Sequence, residues 1–224
     1  MEGVGAPTKC SHAVDVFTDK GVVKGVLNYD DESETSELYV GNKSKSTVTI
    51  KRTISLGNVV QFASPMTKLS KTVYSGRSFD NKVGVVCVYE TLKRLSLQED
   101  IPSTIFGLVP SLEEISSAGA ITAIQKIKPF IYINIDVFPA TLEELGKGVA
   151  IEKGPFANNV LSDFLEKIAI TNKIKHTIKI LSGETETDMD KVMLQNGGIV
   201  VASLGIPLVN LHEPNEIIDI SDLN

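Results

Sequence analysis

"FIYINIDV", residues 130–137, decides how the rest of the chain is read. It is a nearly unbroken apolar run that reaches a carboxylate at Asp136. Such a run suits a strand buried on both faces of a parallel sheet, because a half-buried strand alternates apolar with polar residues. A sheet of this kind needs helices over it. Helical spacing predicts helices over Asp80 to Leu95, Glu114 to Ile127, Asn158 to Ile170 and Thr187 to Gln195. "STIFGLV" (103–109), "TIKIL" (177–181) and residues 199–203 and 208–211 read as further strands. The expected fold class is α/β.

Upstream, the pattern is one of short strands and turns. "AVDVFT" (13–18) and "VVKGVL" (22–27) flank Asp19-Lys20-Gly21, where glycine supplies the positive φ of a hairpin turn. "ELYVG" (37–41), "STVTIKR" (46–52) and "NVVQFA" (58–63) read as strands, and "NYDDESETSE" (28–37) as an exposed acidic connection. The change of period divides the chain into a small β-rich domain, residues 1–72, of barrel or sandwich type, and an α/β domain, residues 73–224.

With 224 residues, 42% of them hydrophobic, the chain can bury a substantial core. A net charge of -6 and a pI near 5.2 exclude a dense basic surface, so no nucleic-acid or membrane partner is expected. The lysines between Lys43 and Lys51 alternate with Ser and Thr as on a solvated strand face. Cys10 and Cys87 are too few for a disulfide framework, and Cys87 falls where a free buried thiol is expected. The sequence shows neither a basic-then-apolar leader nor an apolar run approaching the roughly 18 residues of a membrane span. A cytoplasmic protein is the expectation. Gly146-Lys147-Gly148 and Gly197-Gly198 lack the spacing of nucleotide-binding loops.

Polar groups stand where strands or helices change over: Asp80 at a helix start, Glu113 and Glu114 after "STIFGLV", Asp136 after the apolar run, and His212 after the last strand. Open α/β sheets bind ligands beyond the carboxyl ends of their strands, so these residues can converge. Carboxylate oxygens and a neutral imidazole suit zinc or cobalt, and a further carboxylate can move a proton. Structural roles compete with that reading. Asp80 can be a helix cap or a surface acid, Glu113 and Glu114 can be first-turn acids favoured by the helix dipole, and His212 can be a hydrogen-bonded structural residue. Paired carboxylates also hydrolyse glycosides, but an aromatic content of 6% without tryptophan weighs against sugar stacking.

"GRSFDNKVG" (76–84), the Glu113-Glu114 pair, "INIDV" (133–137), "ELGKG" (144–148), Thr187-Asp188 and "LHEPNE" (211–216) follow one another in an order that resembles the M42 glutamyl aminopeptidase family. That family includes proteins labelled cellulase M or endoglucanase. The resemblance implies an incomplete three-layer aminopeptidase-like domain with a small β-barrel or PDZ-like domain starting near "HAVDVFTDKGVVKGVL". It implies Asp80 as a carboxylate bridging two divalent ions, zinc or cobalt, with Glu114, Asp136 and His212 as further ligands and Glu113 as general base. It implies peptides as substrates, shortened from the amino end, and a homo-oligomer of dimers or larger. "ELGKG" reads as a tight loop beside the cleft.

The departures are specific. The family's amino-terminal part, ending in a His-x-Asp-Glu motif, has no counterpart, since His12 already falls at the start of the inserted domain. Ile115-Ser116-Ser117-Ala118-Gly119 stands where the family carries Val-Gly-Leu-Arg-Gly. With one histidine ligand lacking, the expectation is partial metal occupancy and an aminopeptidase of weakened or lost activity. The alternative is a catalytically inactive, self-associating interaction protein.

Overall fold

A computed structural model describes residues 11–30, 35–41 and 53–223. Cys10, the strand expected at 46–52, the lysines from Lys43 to Lys51 and part of the acidic connection lie outside the described residues.

The first sheet is antiparallel and contains β1 (His12–Thr18), β2 (Gly21–Asp30), β3 (Thr35–Tyr39) and β4 (Val59–Phe62), in the order β3-β2-β1-β4. Thr18 pairs with Gly21, leaving Asp19 and Lys20 as the hairpin loop, and Gly21 has a φ of 115° that only glycine adopts freely. Period-2 alternation buries Val14, Val16 and Leu27. Among the described residues no ladder joins β3 to β4, so the expected barrel does not close.

A second sheet holds β5 (Thr67–Lys68), β6 (Val73–Gly76) and β11 (Glu216–Asp219) in the order β11-β6-β5. The third runs β7-β10-β8-β9, built from β7 (Ile131–Pro139), β8 (Val149–Lys153), β9 (His176–Ile180) and β10 (Val200–Leu208). β10 lies parallel to β7 and antiparallel to β8, and β8 is parallel to β9. The helices are α1 (Phe79–Leu95), α2 (Glu113–Ser116), α3 (Ala118–Ile127), α4 (Asn159–Thr171) and α5 (Asp188–Val192). The fold is therefore mixed α/β, with both faces of β10 buried. Val201 joins Ala120, Ile124, Met189 and Val192 beneath α3 and α5, while Ile206 and Leu208 join Val83 beneath α1 and Ile218 of β11.

Several expectations are corrected. The "FIYINIDV" strand is not buried on both faces: among the described residues only β10 flanks it, and although Ile135 and Val137 pack toward α1, Ile131 and Ile133 remain 46% and 44% exposed. "STIFGLV" forms no strand. It has no ladder partner among the described residues, and Ile105, Phe106 and Val109 are exposed. The helix expected over 114–127 is broken by Ser117, whose φ of 55° separates α2 from α3. The strands expected at 199–203 and 208–211 are one strand, because pairing with β7 runs unbroken from Val200 to Leu208. The helix after Thr187 stops at Val192, and a 3-10 turn follows at Gln195–Gly197. "ELGKG" packs against the C-terminal turn instead of beside the cleft: the amides of Gly146 and Gly148 donate to the Asp222 carboxylate at 2.7 and 2.6 Å. Cys87 is half-buried and free, and burial pushes its thiol up. Among the described residues no helix is long and apolar enough to cross a membrane.

Candidate metal and catalytic site

Three short backbone reversals bring the site together. Ser78, in the left-handed region at φ 58°, turns the chain out of β6. Asp80 and Asn81 follow with non-helical angles, joined by a cis peptide, so regular helix begins only at Lys82. The Asn81 carboxamide caps that helix: its Oδ1 accepts the Gly84 amide at 2.9 Å. Its Nδ2 donates to the Ile135 carbonyl at 3.0 Å and to Asp136 Oδ1 at 2.7 Å, tying the helix start to β7. A Cβ at Gly84 would stand 2.4 Å from Asn81 Oδ1, so a larger residue there would have to displace the Asn81 carboxamide.

Leu112, at φ 62°, launches the single turn carrying Glu113 and Glu114, which closes where Ser117 N donates to the Leu112 carbonyl at 2.9 Å. His212 lies in the loop between β10 and β11, itself left-handed at φ 64°. Each such non-glycine conformation costs about 1–2 kcal/mol, so packing around the site holds these turns against their own preference.

The reversals place His212 Nε2 3.2 Å from Asp80 Oδ2 and 3.8 Å from Glu114 Oε2. One ligand atom from each of Asp80, Glu114 and His212 lies within 4.8 Å of the others. Two carboxylates and one imidazole at that separation fit zinc or cobalt by donor chemistry. Asp136 and Glu113 line the same cleft, about 530 Å³ in volume, outside this group of three. Asp136 Oδ1 is already hydrogen-bonded by Asn81 and, at 2.8 Å, by the Val137 amide.

The carboxyls here are poor in positive charge. Burial, and then the neighbouring Asp136, Asp188, Glu114 and Asp80, push Glu113 up to about 8. Burial pushes Asp136 up to about 7 against the opposing Val137 amide. Asp80 is raised by burial and partly restored by His212, and Glu114 is raised by burial and by Asp80. A desolvated carboxylate group of this kind is what a divalent cation neutralises.

Sequence reasoning missed three residues of the site. Glu216, 3% exposed, accepts the amides of Phe79 and Asp80. Asn81 bridges the helix start to Asp136. Asp188 is 2% exposed at the start of α5, and its Oδ1 has no hydrogen-bond partner. All three lie inside the stretches that carried the resemblance, where Glu216 ends "LHEPNE" and Asn81 follows Asp80.

The fold is mixed α/β, and among the described residues its cleft carries one group whose donor atoms could hold a metal ion. The sequence pattern of the M42 glutamyl aminopeptidases matches residues 3–224, and the chain belongs to that family. It is 27% identical over 177 residues to the lysyl aminopeptidase of Pyrococcus furiosus, covering 75% of this chain and 50% of the relative. The chain thus spans half the length of that enzyme. Among solved structures it resembles aminopeptidase APDkam598 of Desulfurococcus kamchatkensis, with a TM-score of 0.84 and 27% identity over 100% of this chain and 68% of the other. The TET1 peptidase of Pyrococcus horikoshii shares the fold at a TM-score of 0.75 and 22% identity, over 99% of this chain and 71% of its own.

Proposed function

We propose that the chain is a metal-dependent aminopeptidase that removes N-terminal residues from peptides. The observation that carries this reading is the meeting of Asp80, Glu114 and His212 within 4.8 Å, in a chain of the M42 family. These three residues hold a divalent cation, zinc or cobalt, and Asp136 completes the set from β7. A cation bound there supplies Lewis-acid polarisation of the scissile carbonyl and of water. Glu113, in the cleft but outside the ligand group, accepts a proton from the attacking water and returns it to the leaving amine. Glu216 and Asn81 fix the backbone and side-chain positions of Asp80 and Asp136. We read residues 1–72 and 73–224 as separate domains, with β5 tied by its ladder to the second.

Self-association belongs to the same reading. Val86 and Tyr89 on α1 are 54% and 62% exposed, and Ile131 and Ile133 stand bare on β7. Such faces favour burial against another copy. The TET1 peptidase, which shares the fold, can assemble into a tetrahedron or a large octahedral shell. The exposed faces also favour a second reading, a self-associating protein without catalysis.

Hydrolysis of a panel of aminoacyl and short-peptide substrates, by protein of measured metal content, separates the two. Turnover that rises with bound cation supports the aminopeptidase. A fully loaded protein that cleaves none of the panel leaves the interaction protein.

A further inference from the structure

Two extended segments rest on α1 with backbone groups left open. β7 is the first. The Ile135 carbonyl accepts the Asn81 carboxamide and the Val137 amide donates to Asp136 Oδ1, so the odd-numbered residues of β7 turn their backbone groups away from β10. By the alternation of a strand, the amides and carbonyls of Ile131 and Ile133 point the same way, and among the described residues nothing pairs with them there. The second segment is "STIFGLV", residues 103–109. It has the composition of a strand, yet its residues make no hydrogen bond with any described residue.

α1 sets the distance between them. Val83 packs with Ile135 and Val137 of β7. Gly107 lies against Val88 and Leu92, so close that a Cβ on it would stand 2.9 Å from Val88 Cγ1 and 2.4 Å from Leu92 Cδ1. Val83 and Val88 point about 140° apart around the helix, so the two segments rest on different flanks of it. A helix is about 10 Å across and neighbouring strands stand about 4.8 Å apart, so the flanks are about two strand spacings from each other. Between them is room for one strand, with open backbone groups on either side. Ile133 is exposed on one wall, and Ile105 and Phe106 on the other. An added strand would join the segment that ends at Asp136 to the one that leads to Glu113 and Glu114. Such an occupant has to be thin, because residues 103–109 bar a folded partner from the open side of β7. It has to be apolar on both faces, as a strand inside a sheet is. The match to APDkam598 uses 100% of this chain and 68% of the other, so the relative has a length of chain with no counterpart in these residues.

We propose that the space between β7 and residues 103–109 is a docking slot for one apolar β-strand of a separate polypeptide, held by backbone pairing on both sides. The slot does not depend on the aminopeptidase reading. Nor does it depend on self-association, which concerns the outward faces of α1 and β7 and not the open side of the strand. The probe is a synthetic heptapeptide alternating valine and isoleucine, with two lysines at each end to keep it in solution. Its control carries proline at the central position, which removes a ladder donor. Residue-resolved amide hydrogen exchange of the full chain is followed with each peptide. With the first, the amides of Ile131, Ile133 and residues 103–109 slow together by at least about tenfold, while those of β9, the strand at the other side of the same sheet, do not change. The proline peptide slows none of them. Ile133→Pro removes a donor on the open side of β7 and leaves the ladder to β10 in place. Phe106→Lys puts on the far wall the kind of charge that blunts an exposed strand. Each variant abolishes the slowing. Slowing at β7 alone, equal slowing at β9, an equal response to the proline peptide, no response, or a response that survives Phe106→Lys overturns the slot. So does protection of Ile131 and Ile133 in the chain alone that fades on dilution, since a second copy would then be the occupant.

Discussion

Glu216 holds Asp80 in place through the backbone: its Oε2 accepts the amide of Asp80 at 3.3 Å and that of Phe79 at 2.5 Å. Both amides belong to a helix start that begins out of register, so no carbonyl of the helix can serve them. Glu216→Ala leaves them unsatisfied and should cost about 1–3 kcal/mol of stability. It should also weaken cation binding, since Asp80 loses its anchor. Glu216→Gln keeps an acceptor and should recover most of both. Urea unfolding and cobalt titration of the pair check this, and equal behaviour of the two variants refutes it.

His212→Ala removes the only imidazole of the three-residue group. Loss of a residue that merely supports a ligand typically lowers metal affinity about 10–100-fold. Loss of the ligand itself should reach at least that range. Competition against a colour-forming chelator measures it, and affinity within about twofold of the unaltered chain excludes His212 as a ligand.

Glu113→Gln tests proton transfer separately from binding. The amide retains the size of the side chain but cannot act as a base, so cation affinity should hold while turnover falls about 10²–10⁴-fold. If affinity falls as steeply as turnover, Glu113 is a ligand and its assignment is wrong.

The carboxyl group should also set how the cation-free chain responds to pH. Glu113 and Asp136 have folded-state values raised to about 8 and about 7, above those of exposed carboxyls. Below about pH 4 they are protonated in both states and cost nothing. As pH rises, the unfolded chain releases these protons first, so stability falls until the folded-state values are passed. In chelator, the urea midpoint should therefore drop between pH 5 and 8, and saturating cobalt should flatten the drop. A midpoint in chelator that is level or rising over this window contradicts the charge arrangement described.

Leu112→Gly should stabilise the chain. The left-handed φ of 62° costs leucine about 1–2 kcal/mol and glycine almost nothing, while glycine's extra freedom when unfolded takes back about 0.5–1 kcal/mol. Leu112 is 55% exposed, so little buried area is lost. A net gain of about 0.5–1 kcal/mol should appear in thermal unfolding, and a lower midpoint would show that the leucine packs in a way its exposure hides.

What could be read from the sequence was mostly local. The hairpin around Gly21 is specified by adjacent residues, and Asn158 caps α4 through the Leu161 amide one turn on. The motif order also pointed to one cleft for Asp80, Glu113, Glu114, Asp136 and His212, which all line it. What misled was non-local. "STIFGLV" has the composition of a strand, but a strand exists only where another chain segment accepts its ladder, and composition does not supply one. Two strands were expected at 199–203 and 208–211, yet nine residues of pairing with β7 make them one. The short strands β6, β8 and β11 gave no periodic signal in four or five residues. Glu216 was invisible because its partners lie 137 and 136 positions away.

The β6–β11 ladder sews together segments separated by most of the α/β sequence, and Asp80 and Glu216 sit on that seam. Contacts of such long sequence separation are slow to form, because loop entropy must be lost before they contribute. The order of folding follows from this. The β1–β2 hairpin and α4 can form early from near neighbours, whereas the cluster of Asp80, Glu114 and His212 comes into being only when the last strand docks. The cation affinity proposed for this cluster would thus be acquired at the end of folding, and a chain caught short of that docking could be rich in secondary structure and still blind to metal.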